Sequence, residues 1–94
     1  MAKVRVLVTS ALATYMNNER EVTVEADSVR ELLNKLANRY GSQLSTRLLD
    51  ESGNLRRYIN IYINDRNIRG AEIDQKLNEG DEVLILPAVS GGEL

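Results

Sequence analysis

Glu82-Val83-Leu84-Ile85-Leu86-Pro87-Ala88-Val89-Ser90-Gly91-Gly92 decides the fold, because an apolar strand runs out through the chain's single proline into two consecutive glycines. By the two-residue period of a strand, Val83 and Ile85 share one face and Leu84 and Leu86 the other. Pro87 cannot donate into a ladder, so it ends the strand and keeps the next residues extended. A Gly-Gly pair has no side chain beyond Cα. Such a pair can lie in a narrow tunnel and present a backbone carbonyl to another protein's active site.

Working outward from that strand, Tyr58-Ile59-Asn60-Ile61-Tyr62-Ile63-Asn64 sets three isoleucines on one face against Tyr, Asn, Tyr, Asn on the other, the clearest strand in the chain. Between the two strands, Asn64-Asp65-Arg66-Asn67 predicts a turn and Ile68-Arg69 a short returning edge. Ala71 to Leu77 predicts a helical turn, and Asn78-Glu79-Gly80-Asp81 a reversal. At the other end Val4, Val6 and Val8 alternate with Arg5, Leu7 and Thr9, and Val22 and Val24 share a face of Glu21 to Glu25. These two strands form a hairpin whose long loop, Ser10 to Arg20, contains the turn signal Asn17-Asn18.

Ser28 precedes Val29, and Glu31 stands three residues after Ser28, the pattern of a capping box. Val29, Leu32, Leu33, Leu36, Ala37 and Tyr40 then make one apolar stripe, so a helix runs from Val29 to Tyr40, with Gly41 in the position of a left-handed cap. In Ser42 to Arg57, Leu44, Leu48 and Leu49 predict a single helical turn against the core, and Ser52-Gly53-Asn54 a turn. One helix, covering one face of a mixed sheet of four to five strands with the first and last strands adjacent in the middle, is an α+β roll.

Ninety-four residues with 43% apolar and 28% charged side chains make one folded domain too small for a deep enclosed active site. The net charge of −2, without a dense Lys/Arg cluster, argues against nucleic acid. The N-terminus has no signal-peptide core, and no apolar run is long enough to span a membrane, so the expected location is cytoplasmic. Cys, His and Trp are absent. That excludes a thiolate nucleophile, an imidazole base and the usual zinc and iron–sulfur sites, and none of the fourteen carboxylates sits in a run suggesting a desolvated pocket. The chain is not expected to be an enzyme, to bind a metal or to hold a cofactor.

With Val83 and Ile85 facing the helix, Leu84 and Leu86 stand on the opposite face beside Tyr58, Asn60 and Tyr62. This is a candidate docking patch at the root of the tail. Tyr40 is expected to pack at the helix end and Tyr15 in the loop. Arg56-Arg57 is expected to be solvated surface, with contact to a partner's acidic groups as the alternative.

The order of elements, the single helix and the Gly-Gly resemble the β-grasp, ubiquitin-like fold. Leu77 to Gly92 resembles the end of the MoaD/ThiS sulfur carriers, and Arg57 to Asp65, with Leu48-Leu49-Asp50 upstream, is most similar to the cysteine-biosynthesis branch of that family. The resemblance implies a β-grasp domain over residues 1–86 and a flexible tail over 87–94, formed by Pro87, Ala88, Val89, Ser90, Gly91 and Gly92 with Glu93 and Leu94 beyond. It implies a carrier without catalysis of its own, adenylated at the Gly92 carboxylate by an E1-like enzyme using ATP and Mg²⁺, then converted to a thiocarboxylate. The sulfur acceptor implied is a cysteine-synthase-like enzyme, otherwise a molybdopterin synthase large subunit or a thiazole synthase. In this sequence Glu93-Leu94 comes after the glycines and ties the Gly92 carbonyl in a peptide bond. If the two residues are native, relatives with extended tails imply removal by a JAMM-type peptidase. The alternatives are that they are no part of the natural chain, whose end would then be Gly92, or that this copy is never activated. The other reading of the whole is a ubiquitin-like protein modifier or a non-catalytic interaction module.

Overall fold

The computed structural model describes residues 1–69 and 72–87. The expectations for Ala88, Val89, Ser90, Gly91, Gly92, Glu93 and Leu94, and for Ala71, lie outside the described residues. Five strands form one mixed sheet: β1 (Lys3–Val8), β2 (Glu21–Glu25), β3 (Ile59–Ile63), β4 (Arg66–Ile68) and β5 (Glu82–Pro87). Their order is β2-β1-β5-β3-β4, with β1 and β5 parallel in the middle and every other neighbouring pair antiparallel. The sheet is the α+β, β-grasp arrangement read from the sequence.

The main helix, α2, spans Val29–Tyr40 as its apolar stripe predicts. Ser28 Oγ accepts from the Glu31 N–H at 3.1 Å, and the Glu31 carboxylate reaches back to the Asp27 N–H at 2.6 Å, one residue earlier than a standard capping box. At the other end Gly41 has φ 94° and ψ −175°, a region open essentially to glycine alone. This is not the left-handed cap expected there: instead of closing α2, Gly41 bends the chain directly into α3 (Ser42–Leu48).

Two short helices depart from the single-helix expectation. Ser10–Ala13 forms α1 inside the stretch expected to be loop, because Leu12 and Ala13 turn inward onto the core and local hydrogen bonds close a turn too short to show a helical period. In α3, Leu44 and Leu48 are buried as expected, but the helix is seven residues long. Leu49 lies just past it, pairing in an isolated bridge with Leu55. The turn signal at Asn17-Asn18 is confirmed by positive φ at both residues. The β3–β4 reversal is tighter than expected: Asn64 and Asp65 alone take positive φ, as a two-residue hairpin turn needs, so Arg66 and Asn67 fall into β4 rather than the turn and Ile68 ends it.

Alternation places Val4, Val6, Val8, Val22, Val24, Ile59, Ile61, Ile63, Val83 and Ile85 on one sheet face, where α2 seals them with Val29, Leu32, Leu33 and Leu36. Each fully buried aliphatic contributes about 1.5–3 kcal/mol through area removed from water. No polar or charged residue is buried among the described residues. Among the described residues no helix covers the opposite face of the sheet.

Candidate docking face and tail root

The uncovered face is not uniformly polar. On β2 it carries Glu21, Thr23 and Glu25, and on the first half of β1 Lys3 and Arg5, as a solvated face should. Arg5 sits between Glu82 (2.8 Å) and Glu21 (3.3 Å), all three about half exposed, so the pairs add little stability and mainly mark the polar end of the face.

Toward the ends of β1 and β5 the character changes. Leu84 is paired with Leu7 of β1 on one side and with Tyr62 of β3 on the other, forming an apolar row across three strands. One step along β5, Leu86 is opposite Asn60. Tyr58, 46% exposed, immediately precedes β3, and Leu84 is itself 36% exposed, so with Met1 these are the large hydrophobic side chains most open to solvent among the described residues. The structure thus brings together four of the five expected docking residues, Leu84, Leu86, Asn60 and Tyr62, through strand register, with Tyr58 at the strand's entry. It adds Leu7, which the sequence analysis placed on the outer face of β1 without assigning it to the patch. The signal was available: once β1 and β5 are neighbours, a leucine among the polar outward positions of β1 belongs beside Leu84.

Pro87 closes β5 opposite Ile59. The β1 ladder has already ended at Val8, opposite Ile85, so the missing N–H of Pro87 costs no hydrogen bond on that side. Strand β5 takes in Pro87, one residue past the expected strand end, and the described chain therefore leaves the sheet at the apolar end of its open face. Two side-chain contacts fix the other end of β5: Asn64 Nδ2 donates to Asp81 Oδ1 (2.9 Å), and the Glu82 N–H donates to Asn64 Oδ1 (3.0 Å).

Tyr40 and Tyr15 pack as expected, and of the two arginines expected at the surface only Arg57 is exposed. Tyr40 packs partly against the core and donates to Glu19 at 2.9 Å, and burial with that bond pushes its phenol up. Tyr15 packs on the core under the guanidinium of Arg47, 4.2 Å from the ring centroid. Arg56 is only half-buried surface, because its Nε donates to the Thr46 carbonyl, while Arg57 is exposed. The carboxyls whose titration is lowered, Asp74 and Glu72, lie away from the docking face. The Arg30 guanidinium lowers the Asp74 carboxyl, and the Arg69 N–H, with Arg66, lowers that of Glu72. Among the described residues no group of three or more His, Cys, Asp or Glu side chains is placed to hold a metal ion. No helix there is long and apolar enough to cross a membrane.

The arrangement matches known proteins over almost its whole length. The chain is 35% identical over 92 residues to the sulfur carrier protein CysO of Mycobacterium tuberculosis, covering 95% of this chain and 98% of that protein. One chain in the crystal structure of the Amycolatopsis orientalis BexX/CysO complex superimposes with a TM-score of 0.83 at 32% identity, covering 95% of this chain and 99% of that one. The solution structure of small archaeal modifier protein 1 from Methanosarcina acetivorans gives 0.82 at 32% identity, covering 98% of both chains. Since these matches each cover 95% or more of the chain and the model of the ThiS family matches residues 7–92, the chain belongs to the ThiS family.

Proposed function

We propose that this chain is a sulfur carrier of the CysO type, activated at Gly92 and serving biosynthesis, most directly that of cysteine and otherwise of molybdopterin or thiamine. The observation that supports it best is the apolar row Leu7, Leu84 and Tyr62, three residues before β5 closes at Pro87, which gives an activating enzyme a surface to hold while the tail enters its active site. The likeness to a sulfur carrier over 98% of that protein's length supports the same reading.

On this reading the chain is a co-substrate and not an enzyme. The Gly92 carboxylate attacks the α-phosphorus of ATP, held with Mg²⁺ by an E1-like partner, and pyrophosphate leaves. A sulfide-level donor then displaces AMP from the acyl-adenylate to give the thiocarboxylate. Activation of the carboxylate is needed because a carboxylate is a poor electrophile, whereas the thiocarboxylate is a soft nucleophile suited to delivering sulfur. The catalytic groups and nucleotide site belong to the partner, and the carrier contributes reach and recognition. Glu93 and Leu94 have to leave first, through a peptidase of the JAMM type. A sulfur acceptor enzyme completes the cycle.

Protein ending at Gly92, incubated with an E1-like enzyme, ATP, Mg²⁺ and a sulfur source, is expected to gain about 16 Da as sulfur replaces oxygen at the activated acyl group. An unchanged mass beside an enzyme that loads another carrier refutes the reading. The likeness to small archaeal modifier protein 1 favours a second reading, conjugation of Gly92 to lysines of other proteins. Capture under denaturing conditions separates the two, because only conjugation leaves covalent adducts.

A further inference from the structure

The β3–β4 ladder ends at Ile61 opposite Ile68, so Ile59 and Asn60 continue along β5 with no β4 partner among the described residues. Into the gap come Leu55, Arg56 and Arg57 from one side and Asn67, Ile68 and Arg69 from the other, lining an open groove of about 290 Å³. Its aliphatic floor is Leu55 with the edges of the buried Ile59 and Ile68, and Arg56, Arg57, Arg69, Asn60 and Asn67 complete the lining. Among the described residues no carboxylate lines it. The chain as a whole is net acidic at −2, so this concentration of positive charge is local and not a consequence of composition.

Among the described residues the three arginines are in no ion pair. Salt bridges among the described residues use Arg5, Arg30 and Arg66, and none involves Arg56, Arg57 or Arg69. The nearby Glu72 is engaged elsewhere, with one oxygen accepting from the Arg69 backbone N–H at 2.9 Å and the other 3.5 Å from Arg66. Arg56 is held in place through its Nε on the Thr46 carbonyl. Arg57 and Arg69 are exposed.

We propose that this groove binds an acidic segment of a protein partner, with carboxylates on the arginines and an apolar side chain on the Leu55/Ile59/Ile68 floor. Charge complementarity selects carboxylates, and guanidiniums pair them with two-pronged geometry that lysine lacks. The aliphatic floor and open shape favour a peptide over a small inorganic anion, which needs an enclosing cradle of donors. The position selects the partner, since Ile59 and Asn60 are paired to Pro87 and Leu86, so a protein that grips the tail passes over the groove. Only that last step rests on the carrier reading. The groove would then add charge-based recognition to an apolar docking face, raising encounter rate and specificity more than catalysis.

The test is titration of the ¹⁵N-labelled chain with a hexapeptide alternating acidic residues and leucine, beside its Gln/Asn counterpart and inorganic pyrophosphate. The acidic peptide is expected to shift the amides of Leu55, Arg57, Asn60, Asn67 and Arg69 saturably, more weakly as salt is added, and not in Arg57→Glu/Arg69→Glu. Absence of saturable shifts, equal shifts with the neutral peptide, or saturation by pyrophosphate alone overturns the proposal, the last pointing to a small-anion site. Arg57→Gln/Arg69→Gln, which should fold as wild type, guards against misfolding of the charge-reversed protein. With an enzyme that loads the wild-type chain, the charge reversal is expected to raise KM about five-fold or more while kcat stays within about two-fold. Loss of kcat at unchanged KM contradicts recognition at the groove. An enzyme that never loads the wild-type chain speaks against the carrier reading and leaves the peptide titration to decide the groove.

Discussion

Leu84 of β5 faces Tyr62 of β3 across the ladder on the side of the sheet that none of the described helices covers. A leucine 36% open to solvent beside an aromatic ring, on the central strand that leads to the tail, contributes little to the core, and on the proposed reading it is what an activating enzyme grips. Replacing Leu84 with serine is therefore expected to lower kcat/KM for loading by an activating enzyme about ten-fold, equivalent to about 1.4 kcal/mol, while unfolding free energy changes by less than about 1 kcal/mol. Denaturant unfolding and loading kinetics on the same variant check this. Loading lost only in proportion to lost folded protein contradicts a docking role.

Leu36 provides the contrasting case. It is fully buried between α2 and the inner face, and Leu36→Ala is expected to cost about 2–5 kcal/mol through lost transfer energy and a residual cavity. The midpoint of chemical unfolding should fall with the slope unchanged. A cost below about 1 kcal/mol indicates that the helix is not sealing the sheet as described.

At Gly41 the cost of a side chain is conformational alone, because an added Cβ meets nothing within 4 Å. With φ at 94° and ψ near 180°, Gly41→Ala is expected to destabilise by about 1–3 kcal/mol. A neutral result shows that α2 and α3 can be joined by another backbone path, which a crystal structure of the variant would reveal.

Arg30 Nε lies 2.6 Å from Asp74 Oδ1, clasping the start of α2 to the segment before β5, where the Arg30 N–H also donates to the Ile73 carbonyl. That bond lowers the Asp74 carboxyl from its usual value of 3.8. A carboxyl depressed in the folded state stabilises above its unfolded value and loses that contribution as pH falls through the depressed one. The stability difference between wild type and Asp74→Asn is thus expected to be constant from neutral pH down to about 4 and to shrink below it. Parallel unfolding curves from about pH 7 to about pH 2 measure it, and a difference that persists undiminished at the acid end contradicts an ionised pair.

Thr9 Oγ1 is buried and has no hydrogen-bond partner among the described residues, although Thr9 stands at the N-cap of α1. Removing an unpaired buried hydroxyl at constant shape should not destabilise, and Thr9→Val is expected to be neutral or stabilising by up to about 1 kcal/mol. A loss above about 1 kcal/mol in thermal or chemical unfolding shows that the hydroxyl is bonded, and that the helix N-terminus relies on it.

Periodicity alone determined the strands around Val4, Val22, Ile61 and Val83 and the full extent of α2, because side chains repeating every two or every three to four residues leave one apolar face that has a single place to go. Ser28 and Glu31 announced the start of α2 by the same local logic, since a cap is read from residues within one turn. The short α1 and the seven-residue α3 were legible only in part: one to two turns of helix are held by Leu12, Ala13, Leu44 and Leu48 meeting a core assembled from distant segments, which local spacing does not encode. The Gly91-Gly92 pair, its proposed role as an attachment point and the outward direction of Leu84 and Leu86 were readable along the chain. The tertiary structure alone decided that Leu7 completes the apolar row with Leu84 and Tyr62, and that Arg56, Arg57 and Arg69 converge on one groove. Both depend on which strands become neighbours and where a ladder stops, and those are consequences of burying the inner face under α2, not of any local preference.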